Sequence, residues 1–189
     1  ARANIVDEEL LTKMKKAGCI AISYGIEASD DEELKYVNKG VTMEQIKNAI
    51  MLTSKVGIYN VGHFVIGYPT DTKEKILNRA KFAMSLPLDA ATFSCLIPFP
   101  GSKIYEEAEN CYGEYDKDYI YGSKKHGSHT TPIYSPPGLT VKDMEELQKE
   151  IYKKFYIRPS YIFRRMGKLK SFYEFKTLFK AGFNFIMQK

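Results

Sequence analysis

Apolar positions along the chain fall into two rhythms that take turns. Residues 6–16 (VDEELLTKMKK) place Leu10, Leu11 and Met14 at helical spacing. Asp7 stands as a helix cap, acids come first and lysines last, which suits the helix dipole. Ala17-Gly18 ends this helix, and CIAISYGIEA follows as a short apolar strand. The alternation then repeats. Ser29 to Asn38 predicts a short helix, and Lys39-Gly40 breaks it. Thr42 caps a longer helix over TMEQIKNAIMLTSKV, with Glu44 and Gln45 near the third position of a capping box. Gly57 stops that helix, and YNVGHFVIGYP reads as the second strand. A third unit starts at Thr70-Asp71-Thr72, runs through KEKILNRAKFAMSL, and ends in the strand ATFSCLIPFP and a helix over KIYEEAEN.

Helix and strand alternate, and the strands are nearly continuous in apolar residues. That pattern predicts parallel strands covered on both faces. The fold class expected is α/β: a partial (β/α) barrel of about three parallel βα units, followed by a small α-helical C-terminal region. Residues 1–112 hold the barrel units. Residues 113–138, rich in Gly, Ser, Tyr and Pro, read as a loop or linker. Residues 139–189 form a basic helical region, opened by Thr140 capping LTVKDMEELQKEIYKKFYI.

Charge sharpens this division. From Ile151 to Lys189 there are ten Lys or Arg and one acid, Glu174, while the rest of the chain is slightly acidic. Interleaved with Phe and Tyr, such a tail could rest on an anionic membrane surface. Nucleic acid is a further partner for it but is not expected. The bland reading, helices packed on the barrel with a solvated basic face, is favoured. No apolar run is long enough to span a bilayer. The cysteines, Cys19, Cys95 and Cys111, are odd in number and lack metal-site spacing. Cys19 and Cys95, in apolar strand-like runs, read as small buried hydrophobes, and the odd count points to a reducing compartment, so a cytoplasmic location is expected.

The candidate chemistry lies where the strands end. The endings are Gly25-Ile26-Glu27-Ala28-Ser29, Ile66-Gly67-Tyr68-Pro69-Thr70-Asp71-Thr72 and Pro98-Phe99-Pro100-Gly101-Ser102. Parallel α/β sheets bind ligands at the carboxyl ends of their strands. Glycine and proline there let the backbone approach a ligand and set the turn. A carboxylate at a strand mouth, Glu27, can accept hydrogen bonds from vicinal ribose hydroxyls. It can equally pair with a lysine or an amide of the next helix, and spacing alone does not choose. His63 reads as a satisfied barrel-lining or core histidine, and Asp71 as a helix cap rather than a catalytic acid. Phosphate-binding glycine motifs are absent, so a stand-alone phosphate-binding protein ranks last.

In order and spacing, RANIVDEELLTKMKKAGCIAISYGIEASDDEELKYVNKGVTMEQI, GHFVIGYPTDTKE and IPFPGSKIY resemble the second half of the radical S-adenosylmethionine (SAM) barrel. The nearest likeness is to the class with an upstream cobalamin-binding domain, including anaerobic Mg-protoporphyrin monomethyl ester cyclase-like enzymes. GLTVKDMEELQKEIYKKFYIRPSYIFRRM resembles the region after the barrel in that class. The resemblance implies an enzyme, an oxidoreductase or methyltransferase. Such an enzyme cleaves SAM reductively to a 5′-deoxyadenosyl radical that abstracts hydrogen from an unactivated carbon. It implies SAM and a 4Fe-4S cluster as cofactors and adds cobalamin as a candidate. Carried over by motif, Glu27 and Ser29 become polar contacts to SAM, and Lys39 a contact to its carboxylate. Ile66 and Gly67 pack near the adenine, and Pro69 and Pro98 shape the pocket. Thr70 and Asp71 replace the Gly and Glu of the family phrase, and Ser102 replaces its Thr.

The family's Cys-x3-Cys-x2-Cys does not occur in this chain, so the cluster ligands are expected outside it. The chain reads as a piece of something longer that starts near the end of the third strand. A half barrel exposes two strand edges. The partner expected for them is the missing N-terminal half, a second copy, or a tail helix laid over an edge. A small-molecule substrate completes the expectation. The alternative is a half-barrel binding module that uses its basic tail.

Overall fold

A computed structural model describes residues 1–110 and 132–167. Three strands, β1 (Ala21–Glu27), β2 (Tyr59–Ile66) and β3 (Ala90–Cys95), form one parallel sheet in the order β1-β2-β3. Helices alternate with them: α1 (Glu8–Lys16), α2 (Asp31–Tyr36), α3 (Met43–Val56), α4 (Lys73–Ser85) and α5 (Lys103–Asn110). Two more follow, α6 (Val141–Ile157) and α7 (Pro159–Met166). The three parallel units and the helical end thus match the expected α/β architecture.

Local chemistry explains the helix starts. The Asp7, Asp30 and Thr72 side chains accept from backbone amides at the starts of α1, α2 and α4. Thr42–Gln45 and Thr140–Asp143 form reciprocal capping boxes at α3 and α6. Gly57 ends α3 in the left-handed conformation, with φ 78°, which an L side chain would resist. Thr72, not Asp71, caps α4, and Asp71 has a different task described below.

The expectation that both faces of the sheet are covered needs correction. Along β2, Asn60, Gly62, Phe64 and Ile66 are buried, while Tyr59, Val61, His63 and Val65 are only partly so. β1 and β3 alternate in the same way. Helices α3, α4 and α6 pack on the buried face around Phe64, Phe93 and Ile66. Among the described residues nothing covers the other face to the same depth. It carries Ser23, Gly25, Glu27, His63, Thr92 and Ser94. The runs look continuously apolar because Ala21, Val61, Val65 and Ala90 share that open face.

The C-terminal helices join the barrel core. Met144, Leu147, Ile151 and Phe155 of α6 and Tyr161 of α7 are buried in the same cluster as the sheet. Ile133, Tyr134 and Ser135, inside the stretch read as a linker, are also buried. α6 covers the outer edge of β3 in an unusual manner. Gln148, Tyr152 and Tyr156 lie one turn apart on one face of the helix. Gln148 Nε2 donates to Phe93 O at 2.7 Å, and Phe93 N donates to Tyr152 Oη at 3.0 Å. Ala91 N donates to Tyr156 Oη at 3.1 Å, and that hydroxyl donates to Ala91 O at 2.8 Å. One of the two exposed edges is therefore closed by a tail helix. At the other, Ile20 just before β1 and Ala21 and Ser23 within it remain exposed, with the Ala1 amino group touching Ser23 O.

Of the basic tail, residues 168–189 lie outside the described residues, as does Cys111. Two of the described basic residues pack on rings: Arg158 on Phe155 and Tyr161, and Arg165 on Tyr59. Among the described residues no helix is long and apolar enough to cross a membrane.

Candidate functional site

Parallel strands in sequential order bring their carboxyl ends together, so the three singled-out endings share one rim of the sheet. β1 ends irregularly. Gly25 pairs with His63, but Glu27 pairs with Phe64, so one extra residue is accommodated and the strand bulges. Glu27 takes φ 69°, a conformation that costs a non-glycine residue about 1–3 kcal/mol unless its surroundings hold it. A side-chain ion pair holds it. Lys39 Nζ donates to Glu27 Oε1 at 2.9 Å, with the two side chains 28% and 22% exposed. Lys39 returns to the strand mouth because Asn38 and Gly40 also adopt positive φ after α2. A Cβ on Gly25 would lie 2.6 Å from Glu27 Oε1 and 2.8 Å from Lys39 Nζ. The pair is folded over a glycine that leaves it room.

Glu27 thus pairs with the lysine after the next helix, one of the two readings open to it, and both groups keep part of their surface exposed. Beside them, Gly25, His63 and Thr92 stand in register across the three strands on the open face. His63 Nδ1 and Thr92 Oγ1 share a hydrogen bond of 2.8 Å. That bond orients the ring and leaves Nε2 without a partner among the described residues.

Ser29 does not reach toward the open face. Its amide and hydroxyl donate to Glu33 Oε2 at 2.8 and 3.1 Å. Glu33 in turn takes two bonds from Arg79, Nε at 3.1 Å and Nη2 at 2.8 Å. Arg79 Nη2 also donates to Asp71 Oδ1 at 2.6 Å, and Nη1 to Asp71 Oδ2 and to Val65 O at 3.2 Å. Asp71 Oδ2 accepts from the amides of Gly67 at 2.8 Å and Tyr68 at 3.0 Å. One buried guanidinium therefore ties the end of β1 to the end of β2. Burial works against the Arg79 charge, but its bonds to Asp71 and Glu33 outweigh that and hold its pKa above the ordinary value. Tyr68, whose ring lies 5.1 Å from the guanidinium, has its phenol pushed up by burial and by the Glu27 charge.

Ile66 and Gly67, set near the adenine by motif, stand at the end of β2. The Ile66 side chain is fully buried on the helix face, and its carbonyl accepts from Leu96 N. Its side chain belongs to the core. Gly67 has φ 91°, and a Cβ there would meet Met144 Cε at 2.9 Å, so it is both a turn and a close contact with α6. Pro69 and Pro98 are buried at the rim, where Pro69, Thr70, Lys103, Glu106, Glu107 and Asn110 line an open groove of about 450 Å3.

Sequence reasoning passed over Glu33 and Arg79. A signal for Arg79 existed: it sits with Ile76, Ala80 and Ala83 on the apolar stripe of α4, where a charge needs a partner. For the cluster, the donor set is negative. Among the described residues no three His, Cys, Asp or Glu could hold a metal, and burial pushes the Cys95 thiol up to about 12.

A family profile described as the Radical SAM superfamily matches residues 2–83. An uncharacterized methyltransferase of Pyrococcus horikoshii is 28% identical over 87% of this chain and 35% of its own length. The anaerobic magnesium-protoporphyrin IX monomethyl ester cyclase of Rubrivivax gelatinosus is 29% identical over 94% of this chain and 32% of its own. The chain spans about a third of the length of these relatives. Two solved structures share the fold. Coproporphyrinogen III oxidase (HemN) of Escherichia coli, a radical SAM enzyme, aligns with TM-score 0.56 and 15% identity, covering 83% of this chain and 31% of that one. The radical SAM methyltransferase TsrM of Kitasatospora setae, solved with cobalamin and a 4Fe-4S cluster bound, aligns with TM-score 0.52 and 20% identity. That alignment covers 78% of this chain and 29% of TsrM.

Proposed function

From the match of residues 2–83 to the Radical SAM superfamily profile, we propose that this chain is the second half of the barrel of a longer radical SAM methyltransferase or cyclase, supplying one wall of the SAM and substrate pocket. The observation that carries this is the Glu27–Lys39 pair, held at the mouth of β1 by a bulge and a positive φ, on the rim beside the open sheet face. A carboxylate and an ammonium at the same mouth match a ligand with ribose hydroxyls at one end and a zwitterionic amino acid at the other. Glu27 accepts from the hydroxyls, Lys39 takes the carboxylate, and the two neutralise each other until the ligand arrives. His63, set by Thr92, offers Nε2 to the substrate across the same face. SAM, when bound, would supply the radical precursor, and the cluster that would reduce it would take its ligands from outside the described residues. Cobalamin, as in the TsrM structure, would enlarge the chemistry to methyl transfer.

The partner follows from the edges. α6 occupies β3, so the N-terminal barrel half is proposed to add a parallel strand at β1. The test is SAM binding by the intact, cluster-loaded protein. Glu27→Ala is expected to weaken SAM at least tenfold while the cluster's absorbance stays unchanged. Unchanged affinity would remove the assignment. Gly25→Ala, which drives a methyl into the pair, is expected to weaken SAM in the same direction.

A further inference from the structure

At the end of α4, where the chain turns toward the start of β3 and away from the rim just described, lies a cleft of about 280 Å3. Met84, Ser85, Leu86 and Pro87 form one wall, and Arg158, Ser160, Tyr161 and Arg164 form the other. Among the described residues no carboxylate lines it. Arg164 Nη2 is buried and has no hydrogen-bond partner. Arg158 donates from Nη1 to Phe155 O, and its guanidinium lies 4.0 Å from the Phe155 ring centre and 5.3 Å from that of Tyr161. Burial, and after it the charge of Arg164, hold the Arg158 pKa below its ordinary value. Among the described residues no acid offsets these two cations. Ser160 opens the first turn of α7 at the same place, and no side chain caps that helix start.

A buried guanidinium N–H without an acceptor is costly, and two like charges facing one cleft add to that cost. Both costs vanish if an oxyanion sits between them. We propose that this cleft is a binding site for a phosphate group, held by Arg158 and Arg164 and by the Ser160 amide, since Pro159 has no N–H and the Tyr161 and Ile162 amides already donate to Arg158 O. Planar guanidinium forks and a helix N-terminus are the donors that phosphate oxygens fit best. The cleft is larger than a phosphate, so the group arrives as part of a larger molecule. A soluble phosphate ester and a phospholipid headgroup present the same chemistry. The lipid source has a neighbouring feature to engage: Ile162, Phe163 and Met166 of α7 are 41%, 72% and 46% exposed. The site is independent of SAM.

The experiment uses the intact protein at constant ionic strength, titrated with inorganic phosphate against chloride and followed by the Ser160 amide resonance and by melting temperature. Phosphate is expected to shift both, and Arg164→Gln to reduce the affinity at least tenfold. Ser160→Asp, at an exposed position that leaves the core untouched, is expected to reduce it likewise and serves if Arg164→Gln does not fold. Co-sedimentation with phosphatidylglycerol vesicles, compared with phosphatidylcholine vesicles, separates the sources. Pelleting that is lost in the variants means a headgroup, and a phosphate response without pelleting means a soluble ester. Absence of any phosphate response, or an equal response in the folded variants, overturns the proposal.

Discussion

Arg79 is the residue on which the rim depends. It is 1% exposed, its two partners Glu33 and Asp71 are as deeply placed, and together they position Ser29, Gly67 and Tyr68. Buried ion pairs contribute little over a well-packed apolar substitute, but removing one member leaves uncompensated charge. Arg79→Met is therefore expected to cost about 3–5 kcal/mol. Urea unfolding measures it, and a loss below about 1 kcal/mol would contradict the role given to the network. The Asp71 carboxylate spans from Arg79 to the two amides of the turn.

Among the elements, α6 is where the sequence spoke least and the structure most. Its cap and its apolar stripe are plain in the sequence. That Gln148, Tyr152 and Tyr156 would serve as a substitute strand for β3 is not, because nothing local distinguishes them from any polar residues at helical spacing. A strand edge left bare invites association, and here tyrosine hydroxyls and a glutamine amide meet it. Tyr156→Phe leaves Ala91 N and O without their partner in a packed site and is expected to cost about 1–3 kcal/mol. Hydrogen exchange checks the assignment. The Ala91 amide should exchange faster in the variant, while the amide of Gly62 in β2 should not. Equal protection at Ala91 would argue against the edge contact.

For the whole molecule, the groups with raised pKa set an alkaline limit. Burial raises the thiol of Cys95 from 9.0 to about 12, and it raises the phenols of Tyr24, Tyr68 and Tyr161 as well. All are neutral when protonated, and the fold favours that form. Above the ordinary thiol value the unfolded chain holds fewer protons than the folded one, so stability falls as pH rises. The contribution is complete below pH 9 and is lost between there and about 12, on the order of 4 kcal/mol from Cys95 alone. Urea midpoints from pH 8 to 12 should decline, and Cys95→Ala should flatten part of the slope. A flat profile in the parent protein would show that these groups are not buried in solution.

The sequence by itself determined the alternation of helix and strand, the caps at Asp7, Thr42 and Thr140, and the parallel order of the strands. These depend on local hydrogen bonds and on periodicity, which neighbouring residues settle among themselves. It also marked Glu27 and Lys39, because a motif keeps its spacing. Tertiary structure alone decided that one sheet face stays open, since apolar composition does not say which neighbour will cover a residue. It decided that Glu27 bulges into a positive φ above Gly25, that Ile66 turns its side chain into the core, and that Arg79 joins Asp71 in the turn after β2 to Glu33 of α2, 8 and 46 residues away. Each of those outcomes is a contact between distant segments, and its energy exists only once the chain has brought them together.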